Sequence, residues 1–264
     1  MEHLGPLAFN AIRFALGGLV LVPFALRVVP RHGFTNLVFS GSVLGAILFA
    51  GSWLQQAGIQ HADTGAGDAG FITGLYVVLV PILGLALGRQ TTRWVWLGAG
   101  FALLGLYFLS VREGLSMSRG DLLVFWSAFC WAIHILMIDR YTKRHAPLHL
   151  ATTQFLVCSL LSWVFTFGMK EELTWQAAQN AWLPILYCGL FATAIGFTLQ
   201  IVGQEKAHPS TAGILLSGEM IFAAIGGWMF LGERMGGRAY VGAFLMLIGI
   251  LLAQVEPNTK RRLQ

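Results

Sequence analysis

Charge is scarce in this sequence. Asp, Glu, Lys and Arg make up only 11% of the 264 residues, whereas a soluble globular domain carries about 25%. So few charges would leave much of a soluble fold's surface uncovered, and the 56% of apolar residues must therefore face something other than water. The composition excludes a disordered chain and a water-soluble globular fold, and it indicates a protein that is embedded in a lipid bilayer.

Cysteine is scarce as well. Cys130, Cys158 and Cys188 each stand alone in an apolar run, and an odd number without paired spacing predicts neither a disulfide framework nor a zinc site. We expect no cofactor and no bound metal. The net charge of +5 comes from basic residues scattered among short loops, as in a membrane protein with basic cytoplasmic loops. We therefore expect no nucleic-acid partner.

Long apolar runs, by contrast, are abundant. A helix needs about 20 mostly apolar residues to cross a bilayer. Nine segments, named spans A to I, meet that requirement: roughly 9–29, 37–59, 69–87, 94–111, 121–141, 148–169, 182–203, 210–231 and 239–255. The connections are short, so the predicted fold class is an all-α integral membrane protein, a helical bundle of about nine transmembrane helices.

Basic residues predict the orientation of these spans. The loops on one side hold eleven Lys and Arg residues, including the cluster at 260–262, and the loops on the other side hold five. Because basic loops tend to stay in the cytoplasm, we expect a multi-pass protein of the cell inner membrane with a cytoplasmic C-terminus.

The chain also repeats itself at an offset near 144 residues. Span A pairs with F, B with G, C with H and D with I. The matched residues include Phe14 with Phe155, Gln55 with Gln200, Ala69-Gly70 with Ala212-Gly213, Gly98 with Gly242, and Gly105 with Gly249. Each partner lies five spans further on, and because five is odd the second copy is inverted. Inverted repeats are a signature of secondary transporters.

This repeat predicts the domain organisation. Residues 1–115 form a first repeat of four helices, residues 116–256 a second repeat of five helices, and residues 257–264 a basic cytoplasmic tail. Span E has no partner in the first copy. We therefore expect a ten-helix fold that lacks its first helix.

Three stretches of sequence are similar to a known family: LQQAGIQHADTGAGDAGFITGLYVVLVP at 54–81, SAFCWAIH at 127–134 and GEMIFAAIGGWMFLGE at 218–233. With the repeat, they make residues 6–255 resemble the EamA-like family of the drug/metabolite transporter superfamily. The resemblance implies two inverted five-helix repeats and the export of small molecules. Met220 stands where many relatives have proline, which weakens the expectation of a helix break there.

Glu219 lies near the middle of span H. An ionised carboxylate is costly at that depth, so burial favours the neutral acid. One interpretation is a site for a proton or for a cationic group of the substrate; the alternative is a neutral acid that bonds to a neighbouring helix. Because intramembrane acids usually mark transport pathways, we favour the functional interpretation, in which Glu219 binds a proton or a cationic group of the substrate.

Other polar and aromatic side chains within the spans are candidate substrate contacts. For His134, Gln55 and Gln200 the structural alternative is a hydrogen bond between helices. The predicted lining of a cavity where the two repeats meet is Trp53, Gln55, Tyr76, Trp131, His134, Gln200 and Glu219. Arg13, one turn into span A, is either an anchor at the outer interface, which we favour, or an anion contact.

We therefore predict a secondary transporter rather than an enzyme. It would export small metabolites or drug-like solutes by alternating access, with proton coupling through Glu219. One alternative is a membrane-embedded enzyme that uses His61, Asp63 and Asp68; another is a noncatalytic, truncated membrane scaffold. The expected partners are a small-molecule substrate and the lipid bilayer, and a homodimer is left open.

Overall fold

The regular structure of the chain is helical. The computed structural model describes residues 4–31, 33–61, 66–110, 118–171, 173–231 and 236–255, and these residues contain no strand. Their helices are α1 (Pro6–Ala25), α2 (Phe34–Ile59), α3 (Ala66–Gly74), α4 (Tyr76–Ala86), α5 (Arg93–Ser110), α6 (Arg119–Thr142), α7 (Pro147–Gly168), α8 (Trp175–Asn180), α9 (Trp182–Tyr187), a π-helix (Cys188–Phe197), α10 (Thr198–Gln204), α11 (Pro209–Leu216), α12 (Glu219–Leu231) and α13 (Gly237–Ala253).

These helices account for all nine predicted spans. In the part of the chain that the structure describes, 8 helical segments are long and apolar enough to cross a membrane, and α13 is a shorter apolar helix of 17 residues. Each segment lies within a few residues of a predicted span. Large apolar side chains such as Phe222 and Phe230 are exposed on α12, as expected for helices that contact lipid. The predicted all-α membrane bundle is confirmed.

Three spans are not the single α-helices that the apolar runs predict. Span C is divided between α3 and α4, span H between α11 and α12, and span G contains the π-helix between α9 and α10. A break of one or two residues leaves the apolar content of a span unchanged, so hydropathy does not register it. Interruptions of this kind are often found at functional sites.

The chain forms two compact units. The first comprises Met1–Ala57 and Ile133–Ala207, and the second comprises Gly58–Ala132 and His208–Gln264. Each unit takes helices from both predicted repeats. The repeat boundaries at 115 and 256 stay a prediction.

In the first unit, α1 packs against α7, its predicted counterpart in the second repeat. The rings of Phe14 and Phe155 lie 6.0 Å apart. Further along α1, the carbonyl oxygen of Ala25 lies 3.0 Å from Nε2 of His149, which precedes Phe155. The residue numbers therefore rise along one helix and fall along the other, so α1 and α7 are antiparallel, with the equivalent residues Phe14 and Phe155 in contact.

The N-terminus of α1 is capped by a carboxylate from a distant part of the chain. Lys170, just beyond α7, takes a left-handed conformation with φ of 53°, and the Glu171 amide donates to the Thr166 carbonyl at 3.0 Å, as in a Schellman end. This turn aims Glu171 back at α1, where its oxygens accept from the amides of Leu7 at 3.2 Å and Ala8 at 2.8 Å. The negative charge complements the unpaired amides of the helix start.

Glu171→Gln is expected to lower the melting temperature of the purified protein in detergent. The substitution keeps an oxygen acceptor but removes the charge, which should cost about 1 kcal/mol, and Glu171→Ala should cost about 2 kcal/mol. Glu205→Gln is the control, because Glu205 pairs with Arg31 at a partly exposed site, where such pairs contribute about 0–1 kcal/mol. An unchanged melting temperature for Glu171→Ala would contradict the capping role.

In the second unit, α5 packs closely against α13, again its predicted counterpart. A methyl group added at Gly98 would lie 2.7 Å from the carbonyl oxygen of Gly249, and one added at Gly249 would lie 2.6 Å from that of Gly98. Gly105 and Gly242 are related in the same way, at 2.5 and 2.6 Å. The repeat offset maps Gly98 onto Gly242 and Gly105 onto Gly249, so it exchanges the two contacts. The helices touch backbone to backbone at both places because these residues have no side chain.

Candidate functional site

Span C contains a tight break between α3 and α4. The Leu75 amide donates to the Ile72 carbonyl at 3.2 Å, three residues back instead of four. The Leu75 carbonyl then accepts from the amides of Val78 and Leu79, both at 3.0 Å. The first helix therefore ends at Gly74, and the second begins at Tyr76.

Span H breaks in the same manner between α11 and α12. The Gly218 amide donates to the Leu215 carbonyl at 3.1 Å, and the Gly218 carbonyl accepts from Ile221 at 3.0 Å and from Phe222 at 3.4 Å. The offset that matches Ala69 with Ala212 maps every donor and acceptor of the first break onto this one. The break is present although Met220 stands in place of a proline.

The two breaks bring Tyr76 and Glu219 together. Each is the first residue of its second half-helix, and the same offset makes them equivalent positions in the two repeats. The Tyr76 hydroxyl donates to Oε1 of Glu219 at 3.4 Å, longer than the usual O–H···O distance of about 2.7–2.8 Å. The contact is therefore loose, and the carboxyl group is not locked by it.

The surroundings of this pair are unequal. Tyr76 is only 5% exposed, whereas Glu219 is exposed although the rest of α12 is apolar. Glu219 also lies in the first turn of α12, where the helix dipole favours a negative charge. A half-helix terminus inside a membrane span is a recurrent place for ion and substrate sites in transporters.

The remaining predicted site residues make other contacts. Trp53, on α2, is half-buried, stacks on Phe49 with ring centroids 6.3 Å apart and lies 6.4 Å from Phe165. Gln55 and Gln200 are half-buried on α2 and α10. Their roles as substrate contacts stay a prediction.

His134 is bonded across two helices. It is fully buried on α6, and its Nε2 donates to Oε1 of Gln154 on α7 at 3.0 Å. Trp131, one turn earlier on α6, is half-buried. The hydrogen bond matches the structural alternative for His134, and Gln154 was not singled out in the sequence because a lone amide in an apolar run carries no motif. A substrate contact at His134 stays a prediction.

The side chain of Arg13 is bonded to a residue one turn earlier on α1. Its Nε donates to Oδ1 of Asn10 at 2.8 Å, and its guanidinium lies 4.5 Å from the ring centre of Phe14 and 5.7 Å from that of Phe9. Asn10 and Phe14 are both 0% exposed. Sequence reasoning missed Asn10, although its three-residue spacing from Arg13 puts both on one helix face.

Only part of the cluster that the alternative enzyme would use is described. His61 is exposed and Asp68 is half-buried, while Asp63 lies outside the described residues, as does the basic cluster at 260–262. Across the described ranges, no group of three or more His, Cys, Asp and Glu side chains is arranged to hold a metal ion.

Comparison with known proteins gives consistent matches over most of the chain. The model of the EamA-like transporter family matches residues 1–111 and 118–254. An uncharacterized transporter of Archaeoglobus fulgidus is 29% identical over 97% of this chain and 79% of its own length. The threonine/homoserine exporter RhtA of Salmonella typhimurium is 30% identical over 86% of this chain and 75% of its own length.

A solved crystal structure of a protein shares the fold. It superposes with a TM-score of 0.79 at 18% sequence identity, over 98% of this chain and 89% of the other. The helical spans, the broken helices at equivalent positions and these matches together place the sequence among membrane transporters. The chain belongs to the EamA-like transporter family.

Proposed function

We propose that this protein is a proton-coupled secondary transporter that exports a small polar metabolite across the inner membrane by alternating access. The observation that carries the proposal is the contact between Tyr76 and Glu219 at matching breaks of spans C and H. No catalytic role is proposed for any residue.

Matching breaks support alternating access for a mechanical reason. A helix in which an amide bonds to the carbonyl three residues back, instead of four, can bend at that point at little cost. One regular α-helical hydrogen bond is already missing there. Inverted repeats allow the two halves to exchange conformations around a site near the bilayer midplane. Breaks at Leu75 and Gly218 give each repeat a hinge at the same place.

The carboxyl group of Glu219 supplies the coupling. When it faces water it can ionise, and the Tyr76 hydroxyl and the start of α12 stabilise the resulting charge. When its surroundings become apolar the neutral acid is favoured. A proton bound on one side of the membrane and released on the other would drive substrate in the opposite direction.

The substrate class follows from the similarity and from composition. RhtA of Salmonella typhimurium is a threonine/homoserine exporter, and we infer that this chain carries small neutral amino acids or molecules of similar charge. The predicted lining has several amide and aromatic side chains and one acid, which suits a zwitterion. The contacts proposed for the substrate are Trp53, Gln55, Tyr76, Trp131, His134, Gln200 and Glu219.

Flux in reconstituted vesicles tests the proposal. Purified protein in proteoliposomes is loaded with radiolabelled L-threonine, and release is measured with and without an imposed pH gradient. The expected result is protein-dependent release that accelerates with an inward proton gradient and returns to the rate measured without a gradient when an ionophore dissipates it. Release that equals that of protein-free vesicles would exclude threonine transport, and release indifferent to the gradient would exclude proton coupling.

The membrane orientation is also part of the proposal. Trp175 and Trp182 are 78% and 61% exposed around α8, as expected for aromatic residues at a membrane interface. We expect a membrane-impermeant maleimide to label Gln179→Cys but not Arg262→Cys in intact cells, with the parent protein as the background for native cysteines. Labelling of Arg262→Cys alone would reverse the orientation.

A further inference from the structure

We propose that Arg13 and Asn10 form a binding site for the carboxylate group of the transported molecule. This inference rests on the proposed transport function, and it adds a second ligand contact, of opposite charge to Glu219. The site lies within the first unit, on α1, a helix that packs against α7 and the π-helix.

The first argument is an uncompensated charge. Arg13 lies in an apolar span, and among the residues that the structure describes no carboxylate forms an ion pair with it. Five of the six described acids bond elsewhere: Asp121, Asp139, Glu171, Glu205 and Glu219. The sixth, Asp68, lies on α3 in the second unit. An unpaired charge away from water is costly. A bound anion would compensate the charge of Arg13, which no residue of the described chain neutralises.

The second argument is the chemistry of the free donors. A guanidinium has five N–H donors, and the Nε donor of Arg13 is used by Asn10. The terminal nitrogens form the planar edge that matches a carboxylate with two parallel hydrogen bonds. Beside them, Nδ2 of Asn10 is buried and has no partner in the described part of the chain. The site thus offers donors and one positive charge.

The third argument is the setting. The Phe14 ring under the guanidinium packs against buried Phe155 and half-buried Phe197, whose ring centroids lie 6.0 and 6.4 Å from it. Such apolar walls strengthen an ionic hydrogen bond because they exclude water. Arg13 itself is only partly buried, so its outer edge can receive a ligand. Asn10 is fully buried and supports the guanidinium from the protein interior.

Thr193 extends the polar face by one turn. It lies on the π-helix against Gly17, where an added methyl group would be 2.6 Å from its Cγ2. Its hydroxyl oxygen is buried and has no hydrogen-bond partner within the described ranges. Thr193 is thus a second buried polar group without a partner on the helix that packs against this part of α1.

Asn10→Asp is the decisive variant. It places a carboxylate of the same size against the guanidinium. This carboxylate should form an ion pair with Arg13 and exclude the carboxylate of a ligand. We expect a higher melting temperature than wild type without ligand. The L-threonine concentration for half-maximal thermal stabilisation should rise about tenfold to a hundredfold. Arg13→Lys keeps the charge but lacks the planar edge. Its L-threonine concentration for half-maximal stabilisation should lie between those of wild type and Asn10→Asp.

The ligand pair is L-threonine and L-threoninamide, tested on purified protein in a maltoside detergent that carries no phosphate. Wild type should be stabilised by the acid and not by the amide. Equal stabilisation by both, or by neither, would overturn the inference. A threonine response that survives Arg13→Gln, together with a lowered melting temperature, would make Arg13 a structural anchor and also overturn it.

An anionic lipid is the competing source of charge. If phosphatidylglycerol stabilises wild type but not Asn10→Asp, and threonine has no effect, the site holds a lipid phosphate and the inference is wrong. The vesicle assay separates this from the proposed function. Gradient-driven threonine release that Asn10→Asp leaves unchanged overturns the carboxylate site alone. A threonine response lost in Asn10→Asp, with no gradient effect in wild type, overturns the proton coupling alone.

Discussion

Glu219→Gln is expected to abolish transport driven by a proton gradient while leaving the protein folded. Glutamine keeps the size of the side chain and its hydrogen-bonding capacity, and it mimics the protonated acid permanently. Because the amide cannot release a proton, the gradient loses its effect, and threonine release should fall to the rate measured without a gradient. The measurement is release from proteoliposomes at a series of imposed pH differences, with the melting temperature as the check on folding.

Two neighbouring substitutions sharpen this test. Glu219→Asp shortens the side chain by one methylene and should leave partial coupling with a changed pH profile. Tyr76→Phe removes the hydroxyl that contacts Glu219 and should keep gradient-driven release while displacing its pH profile. Glu205→Gln, at the partly exposed pair with Arg31, is the matched acid-to-amide control and should behave as wild type. Full gradient-driven release by Glu219→Gln would remove Glu219 from the coupling mechanism.

Gly105→Ala and Gly242→Ala are each expected to destabilise the second unit strongly. The added methyl group would lie 2.5 or 2.6 Å from a backbone carbonyl of the facing helix, and a backbone atom cannot rotate away as a side chain can. The helices must therefore move apart along the whole contact. Overpacking of this kind costs about 1–3 kcal/mol, which should appear as a lower melting temperature and a smaller yield of monodisperse protein.

Gly100→Ala provides the control on the same helix. An added methyl group there meets nothing within 4 Å, and alanine is favoured over glycine in a helix by about 1 kcal/mol. This variant should therefore keep or raise the melting temperature. Equal effects of Gly100→Ala and Gly105→Ala would show that helix propensity, rather than the contact with α13, decides the outcome.

The membrane spans can be predicted from the sequence because the lipid core requires long apolar segments. Each crossing needs a run of about 20 apolar residues, and the helices other than α8 follow those runs closely. The breaks at Leu75 and Gly218 are not visible in this way, since a shift from a four-residue to a three-residue hydrogen bond leaves the composition unchanged. The offset pairs Gly98 with Gly242, but it does not say that Gly98 touches Gly249, which depends on how the helices pack.

The candidate site shows the same limit. Glu219 is conspicuous because a carboxyl group is costly in a membrane span, and the repeat offset already connects it with Tyr76. That the two side chains meet requires two helix breaks to bring them to the same place. Asn10 was overlooked because a single amide in an apolar helix is unremarkable; only its contact with Arg13 gives it a role.

The reciprocal glycine contacts between α5 and α13 have the form of an isologous dimer interface, in which residue i meets residue j and j meets i. Here the two repeats take the place of the two copies of a dimer. The two equivalent contacts are Gly98 with Gly249 and Gly242 with Gly105. In a homodimer of two antiparallel copies, one mutation to glycine creates space at two contacts at once. Such an interface therefore evolves in fewer steps than one between unrelated helices, and a gene duplication followed by fusion would inherit it complete.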